Sequence, residues 1–282
     1  MPIKPAIVNV NFLVYQILQH DYVKELEYNL GNIIELNNLR KVYRVGNEKV
    51  IALDNVTLSI QKGEFCCLLG TSGSGKSTLL NLMAGLEKPT KGTIHIEGQA
   101  IEKMSEKKLA KFRQEHLGFV FQSYNLLPML TAIENVSMPL TFKGLPRSVR
   151  DKKAKGMLKA VGLSTHVKHK PSQMSGGQQQ RVGIARAFVA MPEIVFADEP
   201  TGNLDSKTTK EVMGLITKMA RENNQTLVIV THDLEIACYA DRIVHILDGN
   251  IEKIEIINNA REGSNEEVDS ILRDSDAVPA SV

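Results

Sequence analysis

The chain has 282 residues, 43% hydrophobic and 23% charged, with three cysteines and no tryptophan. That length is enough to bury a core as one large domain or two small ones, and the composition excludes a wholly disordered or collagen-like chain. Two of the cysteines, Cys66 and Cys67, are adjacent, so a disulfide framework is excluded and a reducing cytosol is the natural setting.

Net charge is only +2 but unevenly spread: residues 1–34 carry −1, residues 253–282 carry −4, and the middle carries +7. A basic middle suits a polyanion such as a nucleotide, a nucleic acid or an anionic lipid surface. No apolar run approaches the roughly 20 residues of a membrane span. No cationic stretch leads into an apolar one as in a signal peptide. The chain is therefore expected not to cross a membrane by itself.

In chain order, residues 1–31 read as an extension. Val14, Leu18, Tyr22, Leu26 and Leu30 recur every four residues, so 12–30 is expected to be an amphipathic helix ended by Gly31. A start placed upstream of the natural one is the other explanation, since TTG can encode Leu30 and AAG-GAG can encode Lys24-Glu25.

Residues 32–256 then alternate between the two periodicities. Strands are predicted over 33–42, 56–60, 64–69, 93–97, 117–121, 194–197, 227–230 and 242–247. Helices are predicted over 76–84, 148–161, 176–190 and 206–222. Such alternation gives an α/β fold with a largely parallel sheet. Residues 257–282 are acidic and without pattern, and are expected to be a mobile tail.

The first chemical motif is Gly70-Thr71-Ser72-Gly73-Ser74-Gly75-Lys76-Ser77-Thr78, which fits G-x-x-x-x-G-K-[ST] between a predicted strand and a predicted helix. Its glycines let backbone N–H groups turn inward around phosphates, and the helix N-terminus adds a positive dipole end. Lys76 is expected to reach the β- and γ-phosphates, and Ser77 to bind Mg²⁺. The acid that such a site needs at the end of a buried strand is Asp198, followed at once by Glu199, placed to orient or deprotonate the attacking water.

A third stretch, Gln173-Met174-Ser175-Gly176-Gly177-Gln178-Gln179-Gln180-Arg181, resembles the L-S-G-G-Q signature of the ATP-binding-cassette (ABC) ATPases. Met174 stands in for the usual leucine, a swap that conserves volume. Gln122 resembles the Q-loop glutamine of that family. Gly202-Asn203-Leu204-Asp205 resembles its D-loop, His232 its switch histidine, and Tyr43 its adenine-stacking aromatic. For Tyr43, packing on an edge strand is the plainer reading.

The resemblance covers about residues 33–252. It implies a P-loop NTPase (RecA-like) core with an antiparallel β subdomain and an inserted α-helical signature subdomain at about 123–175. It also implies an ATPase that uses ATP and Mg²⁺. In that reading Tyr43 and Gly70 to Thr78 hold the nucleotide, and Ser77, Gln122 and Asp198 serve the metal. Glu199, His232, Gln122 and Lys76 act in catalysis. Ser175, Gly176, Gly177 and Gln178 of the signature meet the nucleotide of a second chain, and Asp205 also belongs to the nucleotide site. The implied partners are a second copy, in a homodimer with ATP bound, and an integral-membrane permease subunit. The implied place is cytoplasmic, on the inner face of the cell membrane.

The run from Gly118 to Val136, together with Ala197 to Asp205, resembles the ATPase subunits of lipoprotein-release and macrolide-export systems. This suggests a drive for export or mechanical work on a separate permease. A regulatory ATPase acting with a permease-like membrane protein in cell division or signalling is the alternative. No coiled-coil, zinc or second-cassette insertion supports a nucleic-acid role. Leu126, Leu127, Met129 and Leu130, around Pro128, are expected either to border the groove for the permease or to pack in the helical subdomain. Nine basic residues in 143–170 face only Asp151, and read as a solvated helix face or as a lipid- or permease-facing patch.

Overall fold

A computed structural model describes residues 31–257. The helix expected over 12–30 and the acidic tail from 258 onward lie outside these residues.

Two sheets build the fold. The first is antiparallel, in the order β2-β1-β4-β5, from β1 (Asn32–Val45), β2 (Glu48–Gln61), β4 (Lys91–Ile96) and β5 (Gln99–Ala100). The second has the order β10-β9-β3-β8-β7-β6. It contains β3 (Phe65–Leu69), β6 (Leu117–Phe121), β7 (Ile194–Asp198), β8 (Thr226–Thr231), β9 (Arg242–Leu247) and β10 (Asn250–Ile256). Neighbours from β9 to β6 pair in parallel, and β10 closes the edge antiparallel.

The central strands β3 and β8 are buried along their whole length, as expected for parallel strands covered on both faces. Their side chains divide with period 2. Cys66, Leu68, Val228 and Val230 face a core shared with the antiparallel sheet, while Phe65, Cys67, Leu69, Leu227 and Ile229 face a core shared with helices. The adjacent cysteines thus serve as small apolar residues on opposite faces. Each fully buried aliphatic side chain here contributes about 1.5–3 kcal/mol.

Seven α-helices occur among the described residues: α1 (Lys76–Met83), α2 (Glu106–His116), α3 (Ala132–Phe142), α4 (Arg147–Ala160), α5 (Gly176–Phe188), α6 (Ser206–Glu222) and α7 (Leu234–Ala237). Helices α3 and α4 pack on each other and on α5.

Four elements depart most clearly from the sequence reading. Helix α2 was not anticipated, because only Leu109 and Phe112 in it are buried apolar residues, too few to show a period. Helix α3 was hidden by its internal Pro139, although its start is marked by Thr131, whose N–H and hydroxyl both donate to Glu134 Oε2 at 2.8 and 2.6 Å. Strand β2 begins at Glu48, well before the expected residue 56, because its first half pairs with β1 as an exposed ribbon. Strand β10 was also missed. It lies on the sheet edge and is mostly exposed, which weakens its alternation.

Of the four residues after Gln122, Leu126 packs against the helical core, whereas Leu127 and Met129 are 45% and 76% exposed. Most of the basic residues of 143–170 are exposed on and around α4, as a solvated face requires. Lys143 differs: its Nζ donates to the carbonyls of Glu115 and Ala190, tying α3 to the core.

Candidate functional site

The carboxyl ends of β3, β7 and β8 meet at one edge of the parallel sheet, the usual place for a ligand in such a fold. The Gly70–Ser77 loop leaves β3 there and enters α1. Two of its glycines are forced by close approach. A Cβ on Gly70 would collide with the Ile246 carbonyl and lie 2.8 Å from Ser74 Oγ. Gly75 has φ 103°, and a Cβ on it would lie 2.6 Å from the Ala52 carbonyl.

The first turn of α1 contains no acid and no side chain caps it, so its amides are open to an anion. Ser74 Oγ is buried without a protein partner. Lys76 is buried and donates from Nζ to the Thr71 carbonyl at 2.6 Å, folded back over the loop. Burial pushes its pKa down, and the charges of Glu199 and Asp198 oppose that shift. The cradle is thus short of negative charge and rich in donors, which fits a polyphosphate.

Asp198 ends β7 and is hydrogen-bonded to Ser77. Burial and the neighbouring Glu199 push its carboxyl above the usual range, against the pull of Lys76 and Ser77. This pairing of hydroxyl and partly desolvated acid fits a divalent cation, whose charge would relieve that shift.

Glu199 follows in the left-handed region, φ 42°, with its N–H held by the Val230 carbonyl at 2.9 Å. Strand register sets Asp198 beside Val230, so the ends of β7 and β8 bring Glu199 and His232 together. His232 Nδ1 lies 2.9 Å from Glu199 Oε1.

Tyr43 projects from β1 toward α1. Its hydroxyl donates to Glu87 Oε2 at 2.7 Å and is hydrogen-bonded to Thr78, and Lys41 Nζ sits 4.9 Å from the ring centroid. Burial first, and the Glu87 partnership second, raise its pKa.

Gln122 follows β6 beside β7. Its amide packs on Gly202, where a Cβ would lie 2.7 Å from Nε2, and its carbonyl accepts from Asn203 Nδ2 at 3.0 Å. The side chain thus lies against the loop after Glu199 and makes no hydrogen bond to Ser77 or Asp198.

The signature residues form a separate place. Ser175 caps α5: its Oγ accepts from Gln178 N at 3.3 Å, and its own N–H donates to Gln178 Oε1 at 3.0 Å. A Cβ on Gly176 would lie 2.8 Å from the Tyr124 hydroxyl, and one on Gly177 would lie 2.8 Å from Thr208 Cγ2. Asp205 caps α6, accepting from Thr208 N at 3.0 Å and Thr208 Oγ1 at 2.7 Å, which holds its carboxyl below the usual range.

These residues line a cleft of about 440 Å³ with His166, Asn203 and Glu211, and no residue of 70–78 lines it. A second cleft of about 230 Å³ contains Glu199, Gly202 and His232. One chain therefore offers two anion-binding helix starts that do not share a pocket.

Two residues that sequence reasoning passed over organise this region. Arg186 is buried on α5 and donates to the carbonyls of Tyr124 and Asn125 at 2.8 and 2.6 Å. It holds two successive left-handed residues, φ 59° and 46°, in place. Tyr124 in turn rests on Gly176, so the segment after Gln122 is bolted to the signature helix at both ends of one residue. The signal was present: Arg186 is a lone charge in the apolar end of α5.

Comparison with known proteins gives a consistent result. A family model described as "ABC transporter" matches residues 53–202. An uncharacterized ABC transporter ATP-binding protein of Thermotoga maritima is 49% identical over 226 residues, covering 80% of this chain and 96% of that protein. The ABC transporter ATP-binding protein YtrE of Bacillus subtilis is 48% identical, covering 77% and 96%. The macrolide export ATP-binding/permease protein MacB of Rhodopirellula baltica is 46% identical, but the match covers 77% of this chain and only 32% of that longer protein.

Among solved structures, the dimeric post-hydrolysis state of the ATP-binding cassette MJ0796 of Methanocaldococcus jannaschii, bound to ADP and Pi, matches with TM-score 0.76 and 44% identity. It covers 80% of this chain and 99% of that one. The cbiO1 protein of Clostridium perfringens, part of the cbiONQ transporter complex, matches with TM-score 0.74 and 28% identity, covering 87% and 94%.

Proposed function

This chain belongs to the ABC transporter family and is an ATPase of the ATP-binding-cassette type; from that premise we propose that two copies close head to tail on ATP and thereby drive a separate membrane permease of the export or mechanotransmission type. The observation that carries the dimer is the separation, within one chain, of the phosphate cradle at Gly70–Ser77 from the signature cleft at Ser175. Two anion-binding helix starts can serve one triphosphate only if the second comes from another copy. The MJ0796 cassette, 44% identical, is dimeric with ADP and Pi.

In this reading Tyr43 packs the base, and the loop amides with Lys76 hold the phosphates. Ser77, Asp198 and Gln122 serve Mg²⁺, which when bound neutralises phosphate charge as a Lewis acid. Glu199 accepts a proton from the attacking water. His232 orients Glu199 and meets the terminal phosphate. Ser175, Gly176, Gly177 and Gln178 donate from the opposing copy, and Asp205 fixes the start of α6 beside them.

Support for the permease reading is the exposed apolar surface after Gln122. Leu127 and Met129, together with Phe142 at 68% exposure, stand in solvent next to the segment that Arg186 ties to the signature helix. The export type is supported by the MacB relatives at 45–46% identity. All three native cysteines are buried, so Met129→Cys offers a single accessible thiol for crosslinking in native membranes. The expected product is a crosslink to a multi-span permease with a large external domain. Crosslinks to soluble proteins alone would contradict the reading.

A further inference from the structure

At the opposite end of the parallel strands from the phosphate cradle, three ligand-type side chains converge from distant parts of the chain. Glu97 follows β4, His116 is the last residue of α2, and Glu193 immediately precedes β7. His116 Nδ1 lies 3.2 Å from Glu97 Oε2 and 3.2 Å from Glu193 Oε2. One ligand atom from each residue falls within 4.8 Å of the other two.

A hydrogen-bonded ion triad satisfies this geometry poorly. Nδ1 carries at most one proton, so it can serve both carboxylates only as a bent, three-centre bond. Nδ1 and Glu193 Oε2 are both sealed from solvent, and neither completes a hydrogen bond. Buried polar atoms left in that condition are rare and costly. A cation at the centre satisfies them together. Tetrahedral zinc, with bonds of about 2.0–2.2 Å, places neighbouring donors about 3.3 Å apart, close to the 3.2 Å that separates His116 Nδ1 from each carboxylate.

The donor chemistry selects the ion. One imidazole nitrogen with two carboxylates suits Zn²⁺ and its transition-metal neighbours, whereas Mg²⁺ and Ca²⁺ favour all-oxygen shells. A neutral imidazole with two carboxylates carries charge −2, which a divalent ion balances. The positions are also set in advance. The Phe112 ring stacks on His116 at 4.5 Å between centroids. Glu193 N–H donates to the His116 carbonyl at 3.1 Å, and Thr226 N–H donates to the Glu193 carbonyl at 2.9 Å.

We propose that Glu97, His116 and Glu193 bind a divalent transition-metal ion of the zinc class, with solvent completing the shell. The ion clamps the antiparallel sheet, through the end of β4, to the amino-terminal edge of the parallel sheet. None of the three residues belongs to the phosphate cradle or the signature cleft, so the site stands whatever the fate of the permease reading.

The test titrates the full chain, free of nucleotide and Mg²⁺, with Zn²⁺ alone against a chromophoric chelator, and repeats the titration with Co²⁺ read by its visible absorption. Wild type is expected to take up one tightly held Zn²⁺ per chain and to show the strong bands of four-coordinate Co²⁺. His116→Gln and Glu193→Gln are each expected to weaken Zn²⁺ binding roughly tenfold or more and to remove those bands. Glu97→Gln, on the exposed turn, is the variant least able to disturb the fold, and should show the same loss while retaining wild-type circular dichroism and Mg-ATP turnover. Zn²⁺ should raise the Tm of wild type and leave that of Glu97→Gln unchanged. Equal Zn²⁺ uptake by wild type and Glu97→Gln, or no tight uptake by wild type, overturns the site and leaves the triad as a charge cluster only.

Discussion

His232 Nδ1 lies 2.9 Å from Glu199 Oε1, joining the residue after β8 to the residue after β7 before any ligand arrives. The N–H bond to Val230 fixes the Glu199 backbone in the left-handed region, and the His232 imidazole is the contact that orients its carboxylate. His232→Ala should therefore leave ATP binding within about twofold of wild type and lower kcat by roughly 10²-fold or more. Steady-state turnover with a separate nucleotide titration checks this. A parallel loss of affinity and kcat would place His232 in ground-state binding instead.

The division of the site between copies has its own test. Lys76→Ala should lose nucleotide affinity, while Ser175→Arg, which fills the signature cleft, should still bind ATP but not hydrolyse it. Mixing the two inactive chains creates heterodimers with one intact composite site. The mixture should recover turnover, up to half the wild-type value per heterodimer. If cradle and signature served the same nucleotide within one chain, mixing would restore nothing.

A third expectation concerns stability. The Asp198 carboxyl is raised by burial and by Glu199, so its ionised form opposes folding at neutral pH. Asp198→Asn should thus raise the nucleotide-free Tm by roughly 2–4 °C at pH 7 while abolishing hydrolysis. The gain should shrink as pH falls through the raised folded-state pKa and vanish below the unfolded carboxylate pKa of about 3.9, where both states are protonated. A Tm that falls at pH 7 would show that the Ser77 and Lys76 contacts outweigh the burial cost.

Much of this was legible in the sequence because the chemistry is local. The cradle from Gly70 to Ser77 occupies one loop, and its flanking strand and helix announce themselves by pattern. Ser175 caps α5 within four residues, so its signature can be read as text. What escaped was carried by contacts rather than by pattern. Helix α2 buries only two apolar side chains, and Pro139 argues against the helix in which it sits. The hold of Arg186 on Tyr124 and Asn125 spans about sixty residues, and the left-handed backbone that makes it necessary has no residue signature. Glu97, His116 and Glu193 are likewise scattered, and only the packing of β4, α2 and β7 brings them together.

The central claim, that ATP closes two copies around a site completed in trans, is tested most directly with Glu199→Gln. Glu199 stands immediately after Asp198 and pairs with His232, so the glutamine removes the proton acceptor and spares the cradle. Mass by light scattering, with ATP and Mg²⁺, should give twice the chain mass of 31.2 kDa, reverting to monomer in ADP, with turnover reduced roughly 10²- to 10⁴-fold. A variant that binds ATP yet stays monomeric, or one that hydrolyses at the wild-type rate, would contradict the account.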